Sequence, residues 1–202
     1  MRTIRVALAA STALWLAAST ARGQSGPRHD GLSLSAALGH GTMNASCDSI
    51  CSSVPRTGGT TGLLQVEGTV SRHVRVGGAL HIWWHSGSPD FTSSASAAER
   101  LSNFGAVLHY YPAATGGLFF GGGLGLSNYH SKSADAYSNA WGWGFTADAG
   151  YDIALASVVS LTPRLTYSFG GISTVKNVGA HPFFLTGWRQ NVINLGVGLT
   201  LR

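Results

Sequence analysis

The sequence is short of charge. Lys, Arg, Asp and Glu make up only 10% of its 202 residues, whereas a water-soluble domain carries about 25%. A surface wholly bathed in water is therefore a poor match. Beyond the first twenty or so residues, no run approaches the ~20 consecutive apolar residues of a spanning helix, which excludes a helical membrane bundle. Lys and Arg never cluster, and 13 of them against 8 acids is a modest excess. No nucleic-acid footprint is expected. The two cysteines are too few for a four-ligand zinc site, and neither a metal nor a cofactor is expected.

What the sequence does hold begins with a short basic start, Met1 to Arg5. Val6 to Ala18 follows, apolar except for Ser11 and Thr12, and then the small residues Ser19-Thr20-Ala21. This reads as a secretory signal over residues 1–21, its apolar core too short to span a bilayer. Residues 22–202 are expected to form one domain. Cys47 and Cys51 stand close together in a polar stretch, and in an oxidising compartment a loop-stapling disulfide between them is expected.

From Gly31 to Arg202 apolar and polar residues alternate in about eight segments. Leu32, Leu34, Ala36 and Leu38 oppose Ser33, Ser35 and Ala37. Leu64, Val66 and Val70 oppose Gln65, Glu67 and Thr69. Val159, Leu161, Leu165, Tyr167 and Phe169 oppose Ser160, Thr162, Arg164, Thr166 and Ser168. Period two gives each strand one apolar and one polar face. The segments are expected at 31–41, 62–71, 74–85, 101–111, 117–129, 140–152, 158–169 and from about 188 onward, roughly the length of a tilted spanning strand. Between them, long connections (42–60, 86–100, 130–139, 170–187) alternate with short ones, among them Arg72-His73 and Pro112–Gly116.

In an exported chain this pattern predicts an all-β fold, an eight-stranded antiparallel up-and-down transmembrane β-barrel, apolar outside and polar inside. The long connections would be extracellular and both termini periplasmic. Trp84, Trp141 and Trp143 near the long connections, and Tyr110 and Tyr151 near the short ones, are placed to form aromatic girdles. Pro163 falls mid-segment, where a bulge is expected to absorb its missing N–H.

The candidate site is the lumen. Glu67, Arg75, His81, Asp148 and Arg164 fall on inward faces, and charges in so narrow a space should pair into a plugging network. An ion path through that network is the alternative. Phe119, Trp83 and Tyr111 also point inward and would help to refill the space left by glycine. His81 and His85 share a face but lie about 13 Å apart along a strand, too far to share a metal. His130, Ser131 and Ser133, with Asp135 nearby, are weighed as a hydrolytic set, but no catalytic residue is assigned. Gly121 to Gly125 is not a phosphate loop, because no helix start or Lys follows at the required spacing.

The closing run NVINLGVGLTLR (191–202) and the stretch LHYYPAATGGLFFGGGLGL (108–126) carry a resemblance. With the eight segments and the signal-like start, the chain resembles small outer-membrane β-barrel proteins of the OmpA/OmpX/OmpW type over residues 31–202. The resemblance implies an integral outer-membrane location, contact with membrane lipid and lipopolysaccharide, and insertion by the barrel-assembly machinery. Members usually close on an aromatic residue where this sequence has Leu201-Arg202. The expected role is structural or surface-interacting, with a narrow pore as the alternative and lipid-A modification behind it. The sequence identifies no external partner.

Overall fold

The computed structural model describes residues 31–48, 56–87, 97–132, 136–179 and 183–202. The segment expected to be a secretory signal, Cys51 and the centres of the four long connections lie outside those residues, so the signal and the Cys47–Cys51 bridge stay expectations.

The described chain is all strand and turn: β1 (Leu32–Ser46), β2 (Thr57–Ser71), β3 (Val74–Gly87), β4 (Ala97–Tyr110), β5 (Leu118–Lys132), β6 (Ala136–Tyr151), β7 (Ile153–Ala154), β8 (Val159–Gly179) and β9 (Phe183–Leu201). β1 to β6 pair in sequence order, β9 pairs with β1, and β8 joins β9 to β6. The two-residue β7 continues β6 along the same edge of β8. The nine pieces therefore make an eight-stave, wholly antiparallel barrel that closes on itself.

Closure follows from the solvent. Leu38, Leu124 and Leu195 are 68%, 70% and 67% exposed, while Ser33, Gln65, Glu67, Arg75, Thr166 and Thr200 are buried. That is the inverse of a water-soluble domain and the arrangement required when hydrocarbon is outside. Hydrocarbon offers an edge strand no hydrogen-bond partner, so the sheet has to meet itself.

The register fixes the geometry. From Leu161 the outward pairs run through Leu199, Ala36, Leu64, Leu80, Phe104, Leu126 and Trp143 and return to β8 at Gly171, ten residues further along. Such a stagger tilts eight strands by about 40°. Trp84, Trp141 and Trp143 then crown one end of the apolar belt and Tyr110 and Tyr151 the other, all of them exposed.

Two expectations are corrected. The strands are 14 to 21 residues long apart from β7, so much of what reads as loop (42–46, 57–61, 97–100, 130–132, 136–139, 170–179 and 183–187) is strand. Past the apolar belt the outward face meets water while the inward face packs an apolar plug that includes Met43 and Ile172, so the apolar-out, polar-in code breaks down while backbone pairing continues. Nor is there a bulge at Pro163: it stays in register with Val197. The pairing of β6 with β8 simply lapses between Gly150↔Arg164 and Ile153↔Leu161, which leaves Pro163 facing the gap that separates β7 from β6.

With Leu124 in the middle of the belt, Leu124→Arg should lower stability by about 2–4 kcal/mol, whereas Ala98→Arg, above the tryptophans, should cost less than about 1 kcal/mol. Urea unfolding in lipid vesicles measures both; equal small losses would remove hydrocarbon from the exterior.

Candidate functional site: the plugged lumen

Eight strands enclose little more than the volume of their own side chains, and here three layers fill it. The layer towards the short turns is ionic. His109 on β4 and Asp148 on β6 lie either side of β5, each paired with Gly121. A Cβ at residue 121 would overlap both Asp148 Oδ1 and His109 Nε2. Glycine thus lets the two side chains meet across the intervening strand, with Nε2 3.1 Å from both carboxylate oxygens. The other ring nitrogen, Nδ1, lies 2.5 Å from Glu67 Oε1. An ionised carboxylate can only accept, so the imidazole donates from both nitrogens and clamps β2 to β6 through β4.

Arg164 completes this layer. Its Nη1 donates to Gln65 Oε1 at 2.7 Å and lies 3.2 Å from Asp148 Oδ2. Its guanidinium also sits 5.0 Å from the Phe119 ring centroid. Phe119 meets His109 edge-on at 5.0 Å and lies over Gly150, where a Cβ would come within 2.5 Å of the ring. Arg75, 1% exposed, donates from Nη1 to Ser33 Oγ at 3.1 Å and faces the Tyr111 ring at 5.7 Å. Its Nε and Nη2 have no hydrogen-bond partner among the described residues.

At the turn end itself, Asp152 accepts from Tyr111 Oη at 3.1 Å, from Thr162 Oγ1 at 2.7 Å and from the Arg202 guanidinium. Thr162, Thr200 and Ser35 continue as a hydroxyl chain at 3.1 and 2.9 Å. Arg202 also donates to Ser160 Oγ at 2.7 Å.

The middle layer is polar. Thr61, His81, Asn103, Gln190 and Asn194 line a cavity of about 20 Å³, room for about one water. The third layer, towards the long connections, is apolar: Met43, Trp83, Leu101, Tyr129, Ile172, Val175, Trp188 and Val192 form one buried cluster. Its polar atoms are satisfied locally: Trp83 Nε1 donates to Gly41 O at 3.2 Å, Trp188 Nε1 to Gln190 Oε1 at 2.9 Å, and Tyr129 Oη to Glu99 Oε1 at 3.0 Å. Trp83 lies over Gly59, where a Cβ would come within 2.5 Å of the indole. On β8 the inward residues are even-numbered as far as Ile172, yet Val175 is buried too. Near that switch Gly187 takes φ 65°, a left-handed value that glycine adopts freely, and the hairpin turns inward so that Val175 and Leu185 cover the mouth.

Of the five residues expected to form the network, Glu67, Asp148 and Arg164 are brought together. Arg75 stands apart against Ser33 and Tyr111, and His81 lies in the middle layer. His85 stacks on Trp83 at 6.0 Å and reaches Gly58 O at 2.8 Å, away from any shared site with His81. Sequence reasoning missed His109, the centre of the clamp, together with Asp152 and Arg202. The available signal was positional: His109 has the inward parity of Asn103 and Val107 and stands opposite a glycine in the next strand.

No family profile matches the chain, and no curated relative does. Solved structures match it by fold. The attachment invasion locus protein Ail of Yersinia pestis, solved in complex with the heparin analogue sucrose octasulfate, is similar with TM-score 0.56 and 11% identity, over 85% of this chain and 99% of that one. Neisserial surface protein A gives 0.52 and 15% over 85% and 97%. The outer membrane protein OprG of Pseudomonas aeruginosa gives 0.52 and 11% over 87% and 97%. The fold is thus that of the small outer-membrane barrels.

Gly121→Ala should separate His109 from Asp148 and leave buried charge unpaired, lowering stability by about 3 kcal/mol. Gly122→Ala points outward, where the nearest atom would be 3.7 Å away, and should change stability by under about 0.5 kcal/mol. Chemical denaturation of the two variants in the same vesicles tests the clamp.

Proposed function

We propose that this protein is an integral outer-membrane barrel that works as a sealed platform, anchored in lipid and presenting its long connections for contact with surface partners. The observation that carries this reading is the double closure of the lumen. The His109–Glu67–Asp148–Arg164 layer fills one end and the Trp83–Trp188 cluster the other. A barrel closed twice by packed and paired side chains is rigid, and rigidity suits a scaffold for loops. In this reading the long connections face outward and the termini the periplasm.

No catalysis is part of the proposal. His130 and Ser131 are neighbours on β5, so their side chains leave the sheet on opposite faces. His130 sets its ring edge-on to Tyr137 at 5.2 Å, and Ser133 and Asp135 lie outside the described residues. A narrow pore is the second reading, favoured by the polar middle layer, and it requires both end layers to open.

Planar-bilayer recording separates the two. The platform reading predicts a silent wild type across the usual voltages. Reproducible single-channel steps, altered in Arg164→Ala, would overturn it in favour of the pore.

A further inference from the structure

The described acids are distributed unevenly. Glu67, Glu99 and Asp152 are buried in the barrel, and the Asp148 side chain is only 6% exposed there. The remaining one, Asp48, is exposed beside Arg189 at 3.5 Å. Among the described residues, the outer surface is otherwise cationic. Arg56, Arg100, Lys132, Lys176 and Arg189 are exposed at the long-connection end, and Arg72 alone at the turn end.

Arg100 and Lys132 share one outward patch with the half-buried His130. Arg100 on β4 pairs directly with His130 on β5, and Lys132 stands one outward position further along, opposite Ala98. Directly paired residues are about 5 Å apart and the next outward position about 7 Å along the strand, so all three reach a single phosphate-sized group. None of them forms an ion pair with an acid among the described residues.

The height of the patch is set by its neighbours. Arg100 also pairs with Trp84 on β3, and Lys132 pairs with Tyr137 on β6. Trp84 and Tyr137 are 38% and 43% exposed, and amphipathic rings of this kind settle at the boundary between hydrocarbon and headgroups. Below the cations the same strands present Phe104 and Leu126, 61% and 54% exposed, to the acyl chains.

We propose that Arg100, His130 and Lys132 form a binding site for the phosphorylated headgroup of a glycolipid in the leaflet at the long-connection end. Cations at headgroup height, exposed apolar side chains beneath them and the lack of a competing acid among the described residues fit a molecule with a sugar phosphate above and acyl chains below. Among the described residues the patch is a sheet face without enclosing walls. A free phosphate would gain little there, whereas a lipid-anchored one adds acyl contacts to the charge contacts. The site rests on the barrel being embedded in lipid and is independent of whether the lumen conducts.

The test compares wild type with Arg100→Gln/Lys132→Gln, both folded in detergent micelles and checked for heat-dependent gel migration. Arg72→Gln serves as a cationic control at the opposite end. The probes are diphosphorylated lipid A and its dephosphorylated form, with bound lipid counted by native mass spectrometry. Wild type and Arg72→Gln should bind the phosphorylated probe about 10-fold more tightly than the double variant does, and the double variant should lose the preference for phosphate. Added salt should weaken wild-type binding, while millimolar inorganic phosphate should leave it intact. Equal binding by wild type and double variant, or of the two lipids by wild type, would overturn the site. Full displacement by inorganic phosphate would overturn the lipid as its occupant.

Discussion

The structure depends on one constraint: the outward face of the sheet meets hydrocarbon, where an unpaired backbone N–H or C=O costs several kcal/mol. That demand closes β1 onto β9 and β6 onto β8. Closure with eight staves makes the lumen narrow, and a narrow lumen is filled by its own side chains. The inward glycines follow in turn. Gly121 admits the meeting of His109 with Asp148, Gly150 admits Phe119, and Gly59 admits Trp83. A residue with a Cβ at any of these positions would push a neighbouring strand's side chain out of the layer it completes.

Charge is sorted by the same logic. A carboxylate on the lipid face has no partner, so Glu67, Asp148 and Asp152 turn inward, where His109, Arg164 and Arg202 neutralise them. Cations tolerate the outside only beyond the aromatic crowns, and all but one of the exposed ones among the described residues lie at the long-connection end. The barrel is therefore polar along its axis in two senses. Its interior runs from ionic to apolar, and its exterior from nearly neutral to basic, towards the same end.

The fold was legible in the sequence because two solvents write a period-two code: Leu64 against Gln65, Leu165 against Arg164. Above the belt the outward face is wet and the inward face is an apolar plug, so the code ends before the strand does. Ile172 and Val175 therefore read as loop, although they belong to β8 and plug the mouth. Pro163 argued for a bulge, yet a lapse in pairing with one neighbour was enough. Inward charges were legible by parity, but their partners were not, because a partner depends on which strands come together and on what lies between them. His109 reaches Asp148 across a strand that contributes only a glycine, and nothing in either residue's own segment announces that contact.

The most direct test of hydrocarbon as the outer solvent is nitroxide accessibility in lipid vesicles, with Cys47 and Cys51 replaced by Ser. Labels are placed singly at Leu124→Cys on the exterior and at Thr166→Cys in the lumen. With hydrocarbon outside, relaxation at 124 responds strongly to oxygen and hardly to a water-soluble nickel chelate, whereas 166 lacks that oxygen preference. A label at 124 that responds to the nickel chelate as a water-exposed site does would contradict a hydrocarbon exterior.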